Sequence, residues 1–364
     1  MLMYPVPKAV YESPVQGITG LWGGVGGALV SGESGDDFWQ HIRFVATTVP
    51  ASNTQSGPSL TNIRDGLSSP VGNDMTWKTD TADLNSNGGI ILLRIPADDN
   101  YKITIRGADG APAHVTFTQG PGSCIGAGAE VYGTFSLTEN TVLGMLLGMT
   151  PPGTTQPSGS AGGGGSFVYS TPSMTSSQGF GSNTLWVAAG GGGGWGHGPP
   201  SAQGGQAPYN SISGVDGTGT GSGGGPNGQG THNSGGGGRG GGPPTDHSNS
   251  GGGSGWQGAG GNSTSGTQGG LWSTTGQLTG GQGGSQIGGW GGGGGATGNG
   301  VAGGGGGGYS GGSGGNGFNG SVWGGGGGGG SYTNPQSSSS GGNANSRVGQ
   351  GQTPQHGFIQ IERV

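Results

Sequence analysis

The sequence predicts a mainly β protein, a jelly-roll-like antiparallel sandwich combined with a polyglycine II helix lattice, with almost no α-helix. Three observations predict it. Glycine makes up 103 of the 364 residues and gathers in unbroken blocks, at 190–194, 235–238, 291–295, 303–308 and 324–330. Large aromatic residues punctuate those blocks, and a flexible linker has no use for them. Short apolar runs that alternate with period two lie before the blocks and at the end of the chain.

Glycine has no side chain to bury, so the blocks cannot build an oily core. Ordering each backbone unit costs about 1–2 kcal/mol, and glycine loses the most freedom of any residue. The sequence lacks the Gly-X-Y period of collagen. The ordered alternative is polyglycine II, three residues per turn with every N–H and C=O pointing sideways. Without Cβ atoms such helices approach closely and bond to one another. A net backbone hydrogen bond contributes about 1 kcal/mol, so the lattice is near break-even. It needs a rim of large side chains and a frame that pins its ends. Trp186, Trp195, Trp256, Trp272, Trp290 and Trp323, with Tyr309 and Phe318, are the expected rim.

The elements follow in order. Residues 1–85 read as an N-terminal arm and attachment region, with a strand expected near 38–45 and another near 75–79. Residues 86–189 read as the jelly-roll-like region. Strands are expected at 90–95, 101–105, 115–118, 130–137, 141–147, 166–169 and 184–189, with a turn at 96–100. Residues 190–356 form the glycine-rich region with aromatic loops. Residues 357–364 (GFIQIERV) alternate with period two and form a closing strand. A lattice entered from strands and left through a strand has both ends fixed to a sheet.

The net charge is −6, which opposes a basic nucleic-acid groove. Between Asn140 and Ile361 the only charged residues are Asp216, Arg239, Asp246 and Arg347. Cys124 is the single cysteine, so no intramolecular disulfide forms, and a small buried side chain is expected there. The first residues lack a basic stretch followed by an apolar one, and no apolar run reaches membrane-spanning length. The chain is therefore expected not to insert in a membrane or to use the usual secretory route.

Catalytic and cofactor motifs are weak. Gly311-Gly-Ser313-Gly-Gly315 fits Gly-x-Ser-x-Gly only because glycine is everywhere, with no strand-turn-helix around it. The six histidines are dispersed and have no ligand spacing. The expectation is no enzyme, no cofactor and no metal. The candidate binding residues are Trp195, His197, Tyr209, Trp256, Trp272 and Trp290, on loops between glycine blocks. Tryptophan and tyrosine dominate recognition surfaces and stack on sugars. The competing expectation is that these rings cap the lattice edges.

Several pieces taken together resemble the glycine-rich extracellular module of the anaplastic lymphoma kinase and leukocyte tyrosine kinase receptors. They are LRIP at 93–96, YKITIRGA at 101–108, AEVYGTFSL at 129–137, AGGGGSFVY at 161–169, LWVAAGGGG at 185–193, the block 303–308 with Tyr309, and GFIQI at 357–361. That resemblance implies a tumour-necrosis-factor-like jelly roll carrying polyglycine helices. The single cysteine and the missing signal and kinase separate the chain from receptor signalling. The layout also resembles tail-fibre tip adhesins of T-even-like bacteriophages, in which an attachment region precedes a sandwich of polyglycine helices with host-binding loops. This implies a phage virion protein of a tail or fibre. It would contact other virion proteins through 1–85 and a host glycan or outer-membrane protein through its loops, and it could form a homo-oligomer. A virion component without receptor binding, and a cellular surface or matrix module, are the alternatives.

Overall fold

The computed structural model describes residues 41–45, 57–58, 84–111, 124–152, 159–175, 183–196, 203–215, 250–263, 267–272, 278–283, 286–296, 302–315, 317–318, 322–343, 345, 348–349 and 353–364. All of them belong to one compact unit, Gly35–Val364. The expected strands at 75–79 and 115–118, and the arm at 1–35, lie outside the described residues.

The described residues contain strands and no α-helix, in two main antiparallel sheets that make a β sandwich. In chain order the strands are β1 (His41–Val45), β2 (Leu84–Asn87), β3 (Ile90–Arg94), β4 (Asp99–Arg106), β5 (Cys124–Ile125), β6 (Glu130–Leu137), β7 (Val142–Leu146), β8 (Ser166–Thr171) and β9 (Leu185–Ala189). Then come β10 (Leu271–Trp272), β11 (Leu278–Thr279), β12 (Gly317–Phe318), β13 (Val322–Trp323), β14 (Tyr332–Thr333), β15 (Ser339–Asn343), β16 (Val348–Gly349) and β17 (Phe358–Arg363). One sheet runs β1-β17-β4-β6-β15 and the other β14-β9-β8-β7-β3-β2; β10-β11, β12-β13 and β16-β5 are two-stranded ladders.

Local chemistry sets these elements. Ile103 and Ile105 alternate with Lys102 and Thr104, so β4 buries one face. Asn87 pairs with Ile90 across Gly88 and Gly89, whose φ values of 58° and 86° make the two-residue hairpin loop that glycine favours. β3 pairs with β7 while β4 pairs with β6. That nesting is a long hairpin folded across the two sheets, the wrapping a jelly roll uses. The expected closing strand, β17, lies between β1 and β4.

The six-stranded sheet is buried on both faces. Its inner face meets the other sheet through Ile91, Leu93, Leu143, Met145, Val168 and Val187 against Tyr101, Ile103, Ile105, Phe135, Ile359 and Ile361. Its outer face carries Ile90, Leu92, Leu146, Phe167 and Tyr169, packed against Trp256, Leu278 and Trp290 from the glycine-rich region. The composition boundary at Gly190 is therefore not a boundary between bodies. β14, β15 and β17 come from the late chain, and residues 107–111, 126–129 and 159–165 of the early chain join the lattice.

Candidate functional site

The glycine segments bond to one another with a three-residue repeat. In the stretch 190–195, Gly191 and Gly194 donate to Gly307 and Gly304, at 2.7 and 2.8 Å. Gly192 donates to Ala108 and Gly193 to Gly205. On the acceptor side, Gly190 and Gly193 receive Ala129 and Gly126, Gly191 and Gly194 receive Gly329 and Gly326, and Gly192 and Trp195 receive Gly163 and Ser160. The same neighbour returns every third residue, which is the turn of polyglycine II. Around this one helix stand the segments 302–308, 107–111, 203–208, 126–129, 324–330 and 159–165.

The helix 303–308 repeats the pattern. Gly303 and Gly306 donate to Gly324 and Gly327, Gly304 and Gly307 to Ser160 and Gly163, and Gly305 and Gly308 to Gly251 and Ser254. The requirement for glycine is steric. A Cβ placed on Gly306 or Gly193 would fall within 3.0 Å of backbone atoms in the next helix.

Three of the rim tryptophans, Trp195, Trp256 and Trp290, are buried. Trp290 is fully buried, in a turn where Gly291 and Gly292 have φ of 97° and 87°. Trp256 is buried and stacks on Phe167 with ring centroids 5.7 Å apart, tilted against Tyr169 at 5.5 Å. Trp195 is also buried, and its backbone N–H donates to Ser160 Oγ at 2.7 Å. These three candidates are corrected: rings enclosed by the fold offer no surface to a ligand, and their burial fits the capping role. Apolar area hidden here is the stabilisation that bare backbone packing lacks. His197 lies outside the described residues. Trp272 is placed in β10, and its side chain is outside the described ones, as is that of Cys124 in β5.

Tyr209 is exposed, and it marks the outer layer of the lattice. Residues 203–208 run along the helix 324–330, where Gly205 donates to Gly326. The chain bends at 209–210 and returns, with Ser331 donating to Ser211 and Val215 donating to Gly328. Inside this hairpin are Gly204, Gly205 and Ala207; outside are Tyr209, Ile212 and Val215, each 38% exposed. The exposed large side chains fall at 209, 212 and 215, while the small residues Gly204, Gly205 and Ala207 are buried. Ile212 and Val215 are not among the residues the sequence singles out, because a lone aliphatic residue among Ser and Gly carries no motif. Leu271 is the other large apolar side chain exposed in the glycine-rich region among the described residues.

A buried polar joint ties lattice to sandwich. Asp109 Oδ1 accepts from Arg106 Nη2 at 2.6 Å and from the Gly128 N–H at 3.0 Å, and its Oδ2 accepts from the Gln355 N–H at 2.8 Å. Arg106 Nη1 donates to the carbonyl oxygen of His356 at 3.2 Å. His356 Nδ1 accepts the Thr150 N–H at 3.1 Å. Burial holds the His356 imidazole below its ordinary range, and the Asp109 charge opposes that shift. Within the joint the Arg106 and Asp109 charges pair with each other.

Among the described residues, no group of three His, Cys, Asp or Glu side chains could hold a metal ion. No family model matches the chain, and no curated protein matches it.

Proposed function

We propose that the chain is a structural protein of a phage virion, a tail-fibre or tail-tip adhesin that binds the host cell surface through loops on a stiff polyglycine II scaffold. The observation that carries the reading is the hairpin 203–215. It holds three exposed large side chains on a backbone whose inner side is bonded into the lattice. A frame of this kind keeps its inner residues fixed while outer positions vary, which suits recognition by loops. Residues 1–85 attach the protein to other virion proteins in this reading, and the partner on the host is a surface glycan or an outer-membrane protein. The hairpin carries no charge between Gln203 and Val215, so recognition rests on apolar contact and on the hydroxyl and amide groups of Tyr209, Asn210, Ser211 and Ser213.

The test uses the full chain, fluorescently labelled, on susceptible cells. The wild type is expected to bind and to compete with phage adsorption. The variant Tyr209→Ser with Ile212→Ser and Val215→Ser is expected to lose both while keeping its melting temperature. Equal competition by wild type and variant would remove the hairpin from the interface. A second reading, a virion component that stiffens the particle without binding a receptor, is favoured by the burial of Trp195, Trp256 and Trp290. It predicts fragile particles with normal adsorption when the lattice is weakened.

A further inference from the structure

Tyr309 and Tyr332 stack on each other, with ring centroids 4.7 Å apart and planes 12° from parallel. They come from different parts of the fold. Tyr309 follows the lattice helix 303–308, and Tyr332 lies in β14, at the edge of the six-stranded sheet. The main chain fixes both sides of the stack. The Tyr309 N–H donates to Gly330 O at 2.8 Å, the Tyr309 carbonyl oxygen accepts the Trp256 N–H at 2.9 Å, and the Gly330 N–H donates to Ser310 O at 2.7 Å. Tyr332 pairs with Ala188 of β9, and beyond it Asn334 Nδ2 donates to Leu185 O at 2.9 Å.

A near-parallel stack at this separation sets carbon atoms of the two rings about 3.5–4.0 Å apart. That is the approach two phenol rings make when they couple. Both tyrosines are half-buried, resting on the apolar cluster that holds Trp256. The other described tyrosines are placed differently. Tyr101 and Tyr169 are fully enclosed, Tyr132 has Lys102 Nζ 5.1 Å from its ring centroid, and Tyr209 is exposed. Burial, and then the neighbouring Tyr309, raises the Tyr332 phenol above its ordinary value of 10. Tyr332 therefore keeps its proton at neutral pH and gives up a proton along with an electron when oxidised.

We propose that Tyr309 and Tyr332 form an oxidative cross-linking site, where a peroxide oxidant joins the lattice to the sandwich as dityrosine. Each phenol loses one electron and one proton. A carbon–carbon bond forms between the Cε atoms next to the two hydroxyl-bearing carbons, and the hydrogens on those Cε atoms shift to the oxygens and restore two phenols. Hydrogen peroxide takes up the two electrons and two protons and leaves as two waters. Because the rings are already in contact, a radical on one meets the other before it meets a second chain. The bond closes residues 310–331, which include the lattice row 324–330, into a loop and removes freedom from the unfolded chain, as a disulfide does. With Cys124 its single cysteine, the chain forms no disulfide of its own. The cross-link does not depend on host binding.

The experiment treats the dilute full chain with hydrogen peroxide and a haem peroxidase, then maps the products by peptide mass spectrometry and dityrosine fluorescence. The expected product is a single chain in which the peptides holding Tyr309 and Tyr332 are joined and lack two hydrogens. Its yield should not change on dilution, and its melting temperature should rise above that of untreated protein. Tyr309→Phe and Tyr332→Phe keep the ring and lose the hydroxyl. Both are expected to match the untreated wild type in circular dichroism and to lose the 309–332 product and the rise in melting temperature. Tyr209→Phe should keep both. Cross-links found only between chains, or only through other tyrosines, would overturn the proposal. So would within-chain dityrosine that persists undiminished in Tyr309→Phe.

Discussion

The sandwich and the lattice are held together by opposite means. Between the sheets, Phe135, Ile103 and Ile361 fill space, and stability comes from apolar area taken from water. Around 303–308 there is no side chain to fill anything, and stability comes from backbone bonds whose geometry leaves no room for a methyl group. The sandwich tolerates no loss of volume and the lattice tolerates no gain. Neither region closes alone. Trp256 and Trp290 cover the outer face of the six-stranded sheet, and β15 and β17 return the chain from the lattice to the other sheet.

Substitutions can break this contrast, beginning with the largest effect. Phe135→Ala should cost about 3–5 kcal/mol by removing a fully buried ring from the sandwich core, measured by urea denaturation. Asp109→Ala should cost about 3–5 kcal/mol as well. It leaves the buried Arg106 guanidinium without its carboxylate and the Gly128 and Gln355 N–H groups without their acceptor. If lattice and sandwich are one cooperative unit, both variants lower a single transition. Two separated transitions would show that the joint connects independent bodies. Gly306→Ala adds one methyl group yet should cost about 1–3 kcal/mol or more, because the new carbon meets the backbone of the helix 190–195. An alanine there without effect would mean the helices are looser than the bonds between them imply.

A smaller effect sharpens the contrast through pH. His356 is held below the ordinary imidazole value of 6.5 by burial. Above about pH 6.5 both folded and unfolded chains carry it neutral, and below that the unfolded chain takes up the proton first. Stability should therefore fall as pH drops from about 6.5 through the lowered folded value. His356→Asn, whose amide oxygen can accept the Thr150 N–H but cannot titrate, should flatten that part of a melting-temperature profile from pH 7.5 to 5. The smallest effect is at the lattice surface. Ile212→Ser should change stability by no more than about 0.5 kcal/mol, since its side chain points away from the packed backbone.

β4 and β17 were legible from period-two alternation and β3, β6, β8 and β9 as short β-like runs, and the structure places all six at or within a few residues of the expected positions. The lattice was legible as a consequence of glycine blocks that have no other ordered state. β15 was not legible: Ser-Ser-Gly-Gly-Asn has no apolar alternation, and β6 makes it a strand by pairing with it. Residues 107–111 and 126–129 carry alanine among their glycines, and only the neighbouring helices reveal them as lattice rows. The candidate site was legible in part. Tyr209 is on the surface as expected, but tryptophan between glycines reads the same whether the ring turns outward or plugs the core. What decides it is the bare outer face of the six-stranded sheet, which needs a cover that Trp256 and Trp290 supply.

The central claim is that hydrogen bonds between bare main chains, repeating every third residue, hold the glycine region in one structure. Amide hydrogen exchange on the full chain reads those bonds directly. The N–H groups of Gly191, Gly194, Gly304 and Gly307, each bonded to a neighbouring helix at 3.0 Å or less, should exchange as slowly as those in β4 and β6. Exchange of these glycines at the rate of an unstructured peptide, with β4 and β6 still protected, would contradict the account.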